Sequence, residues 1–337
     1  MMYISDIHDN SYIVYDSDDR SYSTLTKEQV LSLAKNYKTL GVSRNEINKF
    51  NIKTYIQRQR LLGNLSLLVS KVGSLNALLD ENDFEFEVND SDILLKEYTG
   101  FKSKVIIPDI VTKLKRGCFE NRRNIIKEIV IPSSIKELER RQFFDLLKLN
   151  KIDLPDTIEI IDSACFYGCI SLKGIKIPNT IKELRHSCFT ECRSLKTIKI
   201  PNNITWLGAY CFASCDNIQK INLPDGLTKI GICCFSECIN LTKLIIPNGV
   251  TVLPNSCFEN CVNLQKIVLS ENLIELENNC FQGCKCLKEI TIPDSVQNIK
   301  GECFCDCTSL KKIIISKDTY DRVGNSLRSN KDIIVFK

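Results

Sequence analysis

Eighteen cysteines and two histidines, His8 and His186, are the side chains of this 337-residue sequence with the greatest capacity for chemistry. Thiolates attack electrophiles, hold zinc or pair as disulfides, and each use demands its own pattern. A structural zinc site takes four ligands in tetrahedral reach, usually brought by closely spaced cysteine pairs. A C-x-x-x-C spacing does occur, most densely at Cys303-Phe304-Cys305-Asp306-Cys307, with Cys284 and Cys286 shortly before it. The spacing is periodic, however. Cys118, Cys165, Cys188, Cys211, Cys234, Cys257, Cys280 and Cys303 form one column; Cys169, Cys192, Cys215, Cys238, Cys261, Cys284 and Cys307 form a second; Cys233, Cys286 and Cys305 lie outside both. Residues that return with a repeat belong to its core, so the columns read as reduced, buried thiols acting as small hydrophobes. Disulfides along a column stay open on distance, because stacked coils lie about 5 Å apart.

Catalysis finds little support. The sequence has no Gly-rich phosphate loop, no H-E-x-x-H and no G-x-S-x-G. Cys188 lies two residues from His186, yet it sits in the repeat pattern, where burial makes a thiol inert. No catalytic residue, metal ligand or cofactor is assigned, and the protein is expected not to be an enzyme.

The repeat itself specifies the elements. An Ile/Leu-Pro step closes successive apolar runs at Pro132, Pro155, Pro178, Pro201, Pro224 and Pro247, at intervals of 23 residues, and the register continues through Ser270, Pro293 and Ser316. Within a unit, Leu172, Ile175 and Ile177 follow the L-x-x-L-x-L rhythm of a short strand with alternate side chains inward. Proline cannot donate to a ladder and stops the strand at the same place in every coil. Ile181 and Leu184 then return to the interior. Phe119, Phe143, Phe166, Phe189, Phe212, Phe235, Phe258, Phe281 and Phe304 fill one column, which predicts a buried aromatic ladder. The fold class is an α/β repeat: a leucine-rich-repeat solenoid of about nine coils, preceded by a small α+β N-terminal module.

This pattern resembles the BspA-like leucine-rich repeat family over roughly residues 93–316, with Cys where that family usually has Ala before the Phe. The resemblance implies a surface adhesin or secreted effector as one functional setting.

Three segments are expected. Residues 1–92 form the α+β module, 93–316 the solenoid and 317–337 a C-terminal cap. In the module, Ser11–Tyr15 and Ser21–Ser23 read as a hairpin, and Thr26-x-x-Gln29 and Ser43-x-x-Glu46 as capping boxes opening helices. Gly41-Val42-Ser43 followed by Arg44, Lys49, Lys53, Arg58 and Arg60 can be drawn as helix-turn-helix, which gives a nucleic-acid reader through this module as an alternative function, but a net charge of −4 on residues 1–100 (11 Lys+Arg against 15 Asp+Glu) argues against nucleic acid as a ligand. Phe84–Val88 suits an edge strand. Ile93–Leu95 and Val105–Ile107 are expected to pair and start the first coil. At the other end, Asp318–Ser329 reads as a short amphipathic helix and Ile333–Phe336 as a closing strand.

The overall charge of +4 leaves +8 on residues 101–337. In a solenoid, binding lies on outward positions that the core does not dictate. Three outward columns of the strand face hold 13 lysines against three acids, Glu128, Asp153 and Glu289. The candidate basic strip comprises Lys151, Lys173, Lys176, Lys196, Lys199, Lys220, Lys243, Lys266, Lys288 and Lys312. At about 5 Å per coil it would run about 45 Å and suit an acidic partner; lysines that merely keep a repetitive surface soluble are the competing reading. The protein is thus expected to be a monomeric, non-enzymatic protein-interaction scaffold without a small-molecule ligand. No apolar run reaches the roughly 18–20 residues of a membrane span, and the opening Met1-Met2-Tyr3-Ile4-Ser5-Asp6 lacks the features of a signal peptide. A cytoplasmic location is expected, with surface display or non-classical secretion as the alternative.

Overall fold

Each repeat makes one coil because its apolar residues arrive at the spacing of two short strands separated by a proline turn. In the computed structural model, which describes residues 2–8, 11–16, 21–26, 83–88, 92–109 and 111–337, the strand Gly174–Lys176 pairs in parallel with Thr197–Lys199 of the next coil. After the proline, Glu183–Leu184 pairs with Trp206–Leu207, and that strand with Lys229–Ile230. The Cys-Phe segment completes the coil through a third ladder: the N–H groups of Ala164, Phe166 and Gly168 donate to the carbonyls of His186, Cys188 and Thr190 at 2.8, 2.9 and 2.9 Å. Its two outer donors are left-handed (Ala164 φ 55°, Gly168 φ 70°), as are Ser187 and Glu191 one coil on and Glu302 and Asp306 near the end. Left-handed backbone at non-glycine residues costs on the order of 1 kcal/mol or more. Here it turns alternate N–H groups toward the neighbouring coil, where those of Ala164, Gly168, Ser187 and Glu191 each find an acceptor.

The strand or its single-bridge equivalent at Lys220 occurs in eleven successive turns, from Lys104–Ile106 to Ile334–Phe336. The two beyond the nine that follow the Phe column are the terminal ones, which have no Phe of their own. At the N-terminal end Tyr98 takes that place, 6.3 Å from Phe119 between ring centroids. The phenylalanines stack as the repeat predicts, at 5.3–5.7 Å and within 10° of parallel from Phe166 to Phe304. They belong to one continuous core running from Ile93 to Leu327.

Two adjacent coils depart from this regularity. The repeat containing Phe119 is 24 residues long, and the additional residue falls between Phe119 and Ile126, where the chain makes a short 3-10 turn, Glu120–Arg122. In the next coil Gln142 and Leu146 replace both column cysteines, and the Phe143 ring tilts 24° and 20° from its neighbours. Gln142 is buried; its Nε2 donates to the Lys115 carbonyl at 3.0 Å, while its Oε1 has no hydrogen-bond partner among the described residues.

The N-terminal turns also correct the expected start. Ile93–Leu95 and Val105–Ile107 do not pair with each other: Ile93–Tyr98 runs antiparallel to Phe84–Val88 and parallel to Lys113–Leu114, whereas Lys104–Ile106 pairs with Glu128–Val130. The two segments head different ladders, because a coil separates its strands by a turn. Phe84–Val88 is the edge strand that its alternation suggests. Nearer the N-terminus the hairpin is present as Ser11–Asp16 and Ser21–Thr26, joined by a third antiparallel strand, Met2–His8. The helices expected after Thr26 and Ser43 lie outside the described residues. At the C-terminus Ser316 caps the helix Lys317–Val323, a 3-10 segment Gly324–Ile333 follows, and Ile334–Phe336 pairs with the last coil strand.

The cysteine columns prove to be more than filler. Every thiol of the second column, from Cys169 to Cys307, lies 3.0–3.2 Å from the carbonyl oxygen of the Phe in the preceding coil. That oxygen already accepts an N–H of its own coil, as Phe212 does from Cys215. The S–H fills its second lone pair. Desolvation, the largest cause, pushes the thiols of Cys238 and Cys307 up to about 12 and those of Cys165, Cys192, Cys211 and Cys257 well up as well.

Cys238→Ala removes the donor and leaves a void, and it should lower stability by about 1–3 kcal/mol in urea melts; Cys238→Ser, with a comparable loss of volume but a hydroxyl donor, should lose less. Equal losses would reduce the thiol to a space-filler. Because the folded state holds these groups neutral and the unfolded chain ionises them near pH 8.5, the unfolded state binds fewer protons above that value. Stability should therefore be level below about pH 8 and fall above it, by up to about 1.4 kcal/mol per pH unit for each buried thiol, as read by urea melts across pH.

Candidate binding face

The accessible thiols are the three outside the columns and Cys307 at the end of the second. Cys305 is exposed and Cys233 and Cys286 are half-buried, with Cys286 Sγ 3.8 Å from Asn263 Oδ1. Among the described residues no group of three or more His, Cys, Asp or Glu side chains converges on a point that could hold a metal. His186 is turned away from nucleophile chemistry: its Nδ1 accepts the Ala209 N–H at 2.9 Å and its ring meets Trp206 edge-on at 5.2 Å. Cys188 is fully buried, and desolvation raises its pKa.

The lysine face is built by strand alternation. In a three-residue strand the middle side chain points into the core and its two neighbours point out, so Lys243–Ile245 and Lys266–Val268 each show an exposed–buried–exposed pattern. Coil stacking then places equivalent residues side by side: Lys220 bridges to Lys243, and Lys243 is in register with Lys266. Lys176 is in register with Lys199. All ten candidate lysines are exposed. Trp206 belongs to the second ladder and lies off this face.

The ten are not equivalent. Lys151 pairs with Glu128 at 3.1 Å and Asp153 at 3.0 Å, and Lys104 shares Glu128 at 3.2 Å. Hydrogen bonds from the two lysines hold the Glu128 carboxyl below its usual range, and those that Lys151 donates to Asp153 and Glu128 raise Lys151. Lys176 reaches Asp156 at 3.3 Å. Among the described residues, Lys173, Lys196, Lys199, Lys220, Lys243, Lys266, Lys288 and Lys312 make no ion pair. The strip is therefore neutralised toward its N-terminal end and carries open charge beyond it.

A feature absent from the charge count lies beside these lysines. Ile245 and Val268 project from the same strands and are 56% and 41% exposed. A groove of about 870 Å³ follows, lined by Lys266, Val268, Lys288, Glu289 and Thr291, with Asp294 and Lys337 in an ion pair at 2.9 Å on its wall. The alternation that assigned the lysines outward placed Ile245 and Val268 outward too; their aliphatic character obscured it.

Among the described residues no helix is long and apolar enough to cross a membrane. No curated protein matches the chain. Several solved structures are similar. A leucine rich cell surface protein from Faecalibacterium prausnitzii A2-165 is 21% identical over 76% of this chain and 93% of its own, with a TM-score of 0.44. The T. pallidum leucine rich repeat protein is 26% identical over 61% and 88%, with a TM-score of 0.46. Pneumococcal vaccine antigen PcpA is 16% identical over 76% and 98%, with a TM-score of 0.44. The BspA type leucine rich repeat region matches residues 97–219 and 205–333, with six copies. The repeat, its coil geometry and this match agree, and the chain belongs to the BspA type leucine-rich repeat family.

Proposed function

We propose that the protein is a non-enzymatic scaffold that binds an acidic surface of another protein through the lysine-rich strand face of its solenoid. The observation that carries this reading is the run of exposed lysines without ion-pair partners among the described residues, fixed side by side by the coil register at Lys220, Lys243 and Lys266. Stacked coils hold these charges at constant spacing, so a partner meets a preorganised surface and little ordering cost remains on this side. Electrostatic complementarity of this kind raises association rates and depends on salt. A reducing compartment such as the cytoplasm suits the molecule, since the second-column cysteines act as S–H donors and a disulfide would remove the donor.

Affinity capture from a lysate tests the reading, with wild type compared against a variant carrying Lys173→Glu, Lys196→Glu, Lys220→Glu, Lys243→Glu and Lys266→Glu. The variant should keep the wild-type Tm, since all five residues are exposed, and should lose the specific partners that wild type enriches. Recovery of the same partners by both would overturn the proposal and leave the lysines as solubility features.

A further inference from the structure

The strand face changes character along its length, and the change describes a partner. From Lys173 to Val268 its three outward columns hold seven lysines and no acid, with Glu128 and Asp153 before this stretch and Glu289 after it. In the two last coils of the stretch the outward residue two places beyond the lysine is aliphatic: Ile245 beside Lys243, and Val268 beside Lys266. One exposed aliphatic side chain is ordinary on a protein surface. Two in register, Ile245 against Val268, alongside lysines in register, make a surface split lengthwise into a cationic and an apolar lane. Its complement carries acids and aliphatic residues in two adjacent lanes.

Backbone bonding restricts the shape of that complement. The main-chain groups of these strands bond to the neighbouring coils, as in Ile246 N–H to the Val268 carbonyl at 2.8 Å and Gln265 N–H to the Thr242 carbonyl at 2.9 Å. No open sheet edge exists at these interior coils, so a partner cannot add a strand there. A segment lying along the solenoid must bring its own backbone bonds satisfied, which an α-helix does. The spacing agrees. Coils repeat about every 4.8 Å and helix turns about every 5.4 Å, so acids one turn apart stay within about 2 Å of successive lysines over three turns. The length and flexibility of a lysine side chain absorb that difference. Same-face residues of an extended segment, about 6.8 Å apart, fall out of step by the third coil.

Resting on the reading of the strand face as the binding surface, we infer that it docks an acidic amphipathic α-helix of a partner protein, with acids on Lys220, Lys243 and Lys266 and aliphatic side chains on Ile245 and Val268. The helix lies along the solenoid axis, and the groove beyond Val268 receives its end.

The test uses the full chain and a labelled, helix-stapled peptide of about 20 residues, or five to six turns, with Glu and Leu in adjacent helical lanes. Three comparators are a peptide of the same composition with the residues alternating, polyglutamate of equal charge, and heparin. Fluorescence anisotropy should show the helical peptide binding at least about tenfold more tightly than any comparator, a gap of about 1.4 kcal/mol. Combined Lys220→Glu, Lys243→Glu and Lys266→Glu should weaken it by at least about tenfold. Combined Ile245→Thr and Val268→Thr, which keeps β-branched residues at exposed strand positions, should weaken it several-fold without changing Tm. Equal or tighter binding of a comparator, or no loss from the threonine pair, would overturn the helix and leave the lysine face standing as a general anion surface. No binding by the helical peptide would overturn the helix alone, with lysate capture still deciding the broader reading. Undiminished binding by the charge-reversed protein would overturn both.

Discussion

The distance between one coil and the next governs this molecule, and it is held by three ladders of backbone hydrogen bonds around a stack of aromatic rings. The backbone bonds set a spacing of about 4.8 Å. The rings lie nearly parallel at 5.3–5.7 Å between centroids, within the range at which aromatic pairs attract. From Phe143 to Phe281, a thiol hydrogen bond to the Phe carbonyl ties the ring-bearing segment to the coil after it. The inner positions are thereby committed, and a substitution there is felt by both neighbouring coils. Outward positions are free of this constraint, which is why lysine, threonine, glycine and isoleucine alternate along the strand face without disturbing the stack.

The same periodicity that makes the core rigid makes the surface exact in register. A charge at one outward position is repeated, or conspicuously omitted, one coil later at a known separation. Ion pairs at Glu128 and Asp153 cancel lysines where acids enter the columns, and the columns from Lys173 to Val268 contain no acid. The active part of the face is thus set by where acids are missing as much as by where lysines occur.

Much of this was legible from the repeat. The 23-residue interval, the Phe column, the proline stops, the edge strand at Phe84–Val88 and the closing strand after Ile333 each rest on local spacing, which a single coil already contains. What escaped depended on relations between coils. Tyr98 extends the ring column, tilted 50° from Phe119, yet its turn carries neither the Phe nor the cysteines that mark a unit. The donor role of the second-column thiols requires the Phe carbonyl of the coil before, which no sequence window displays. The strand Met2–His8 was missed because an irregularity between Ile4 and Asp6 breaks the alternation that would have announced it. In the binding face, the lysines were readable from position alone, whereas their unequal pairing with acids and the aliphatic lane beside them emerge only when adjacent coils are laid side by side.

The coil of Gln142 bears on how the molecule comes apart. A stack in which each unit touches only its neighbours separates first at its poorest interface. Gln142 leaves a buried oxygen unbonded, Leu146 offers no thiol to the Phe119 carbonyl, and the Phe143 ring is tilted against both neighbours. Thermal or mechanical stress therefore opens the array there first, releasing the turns before Phe143 as a unit while the longer segment stays stacked. The open lysines from Lys173 onward lie wholly within that segment, so the face outlasts the loss of the N-terminal turns.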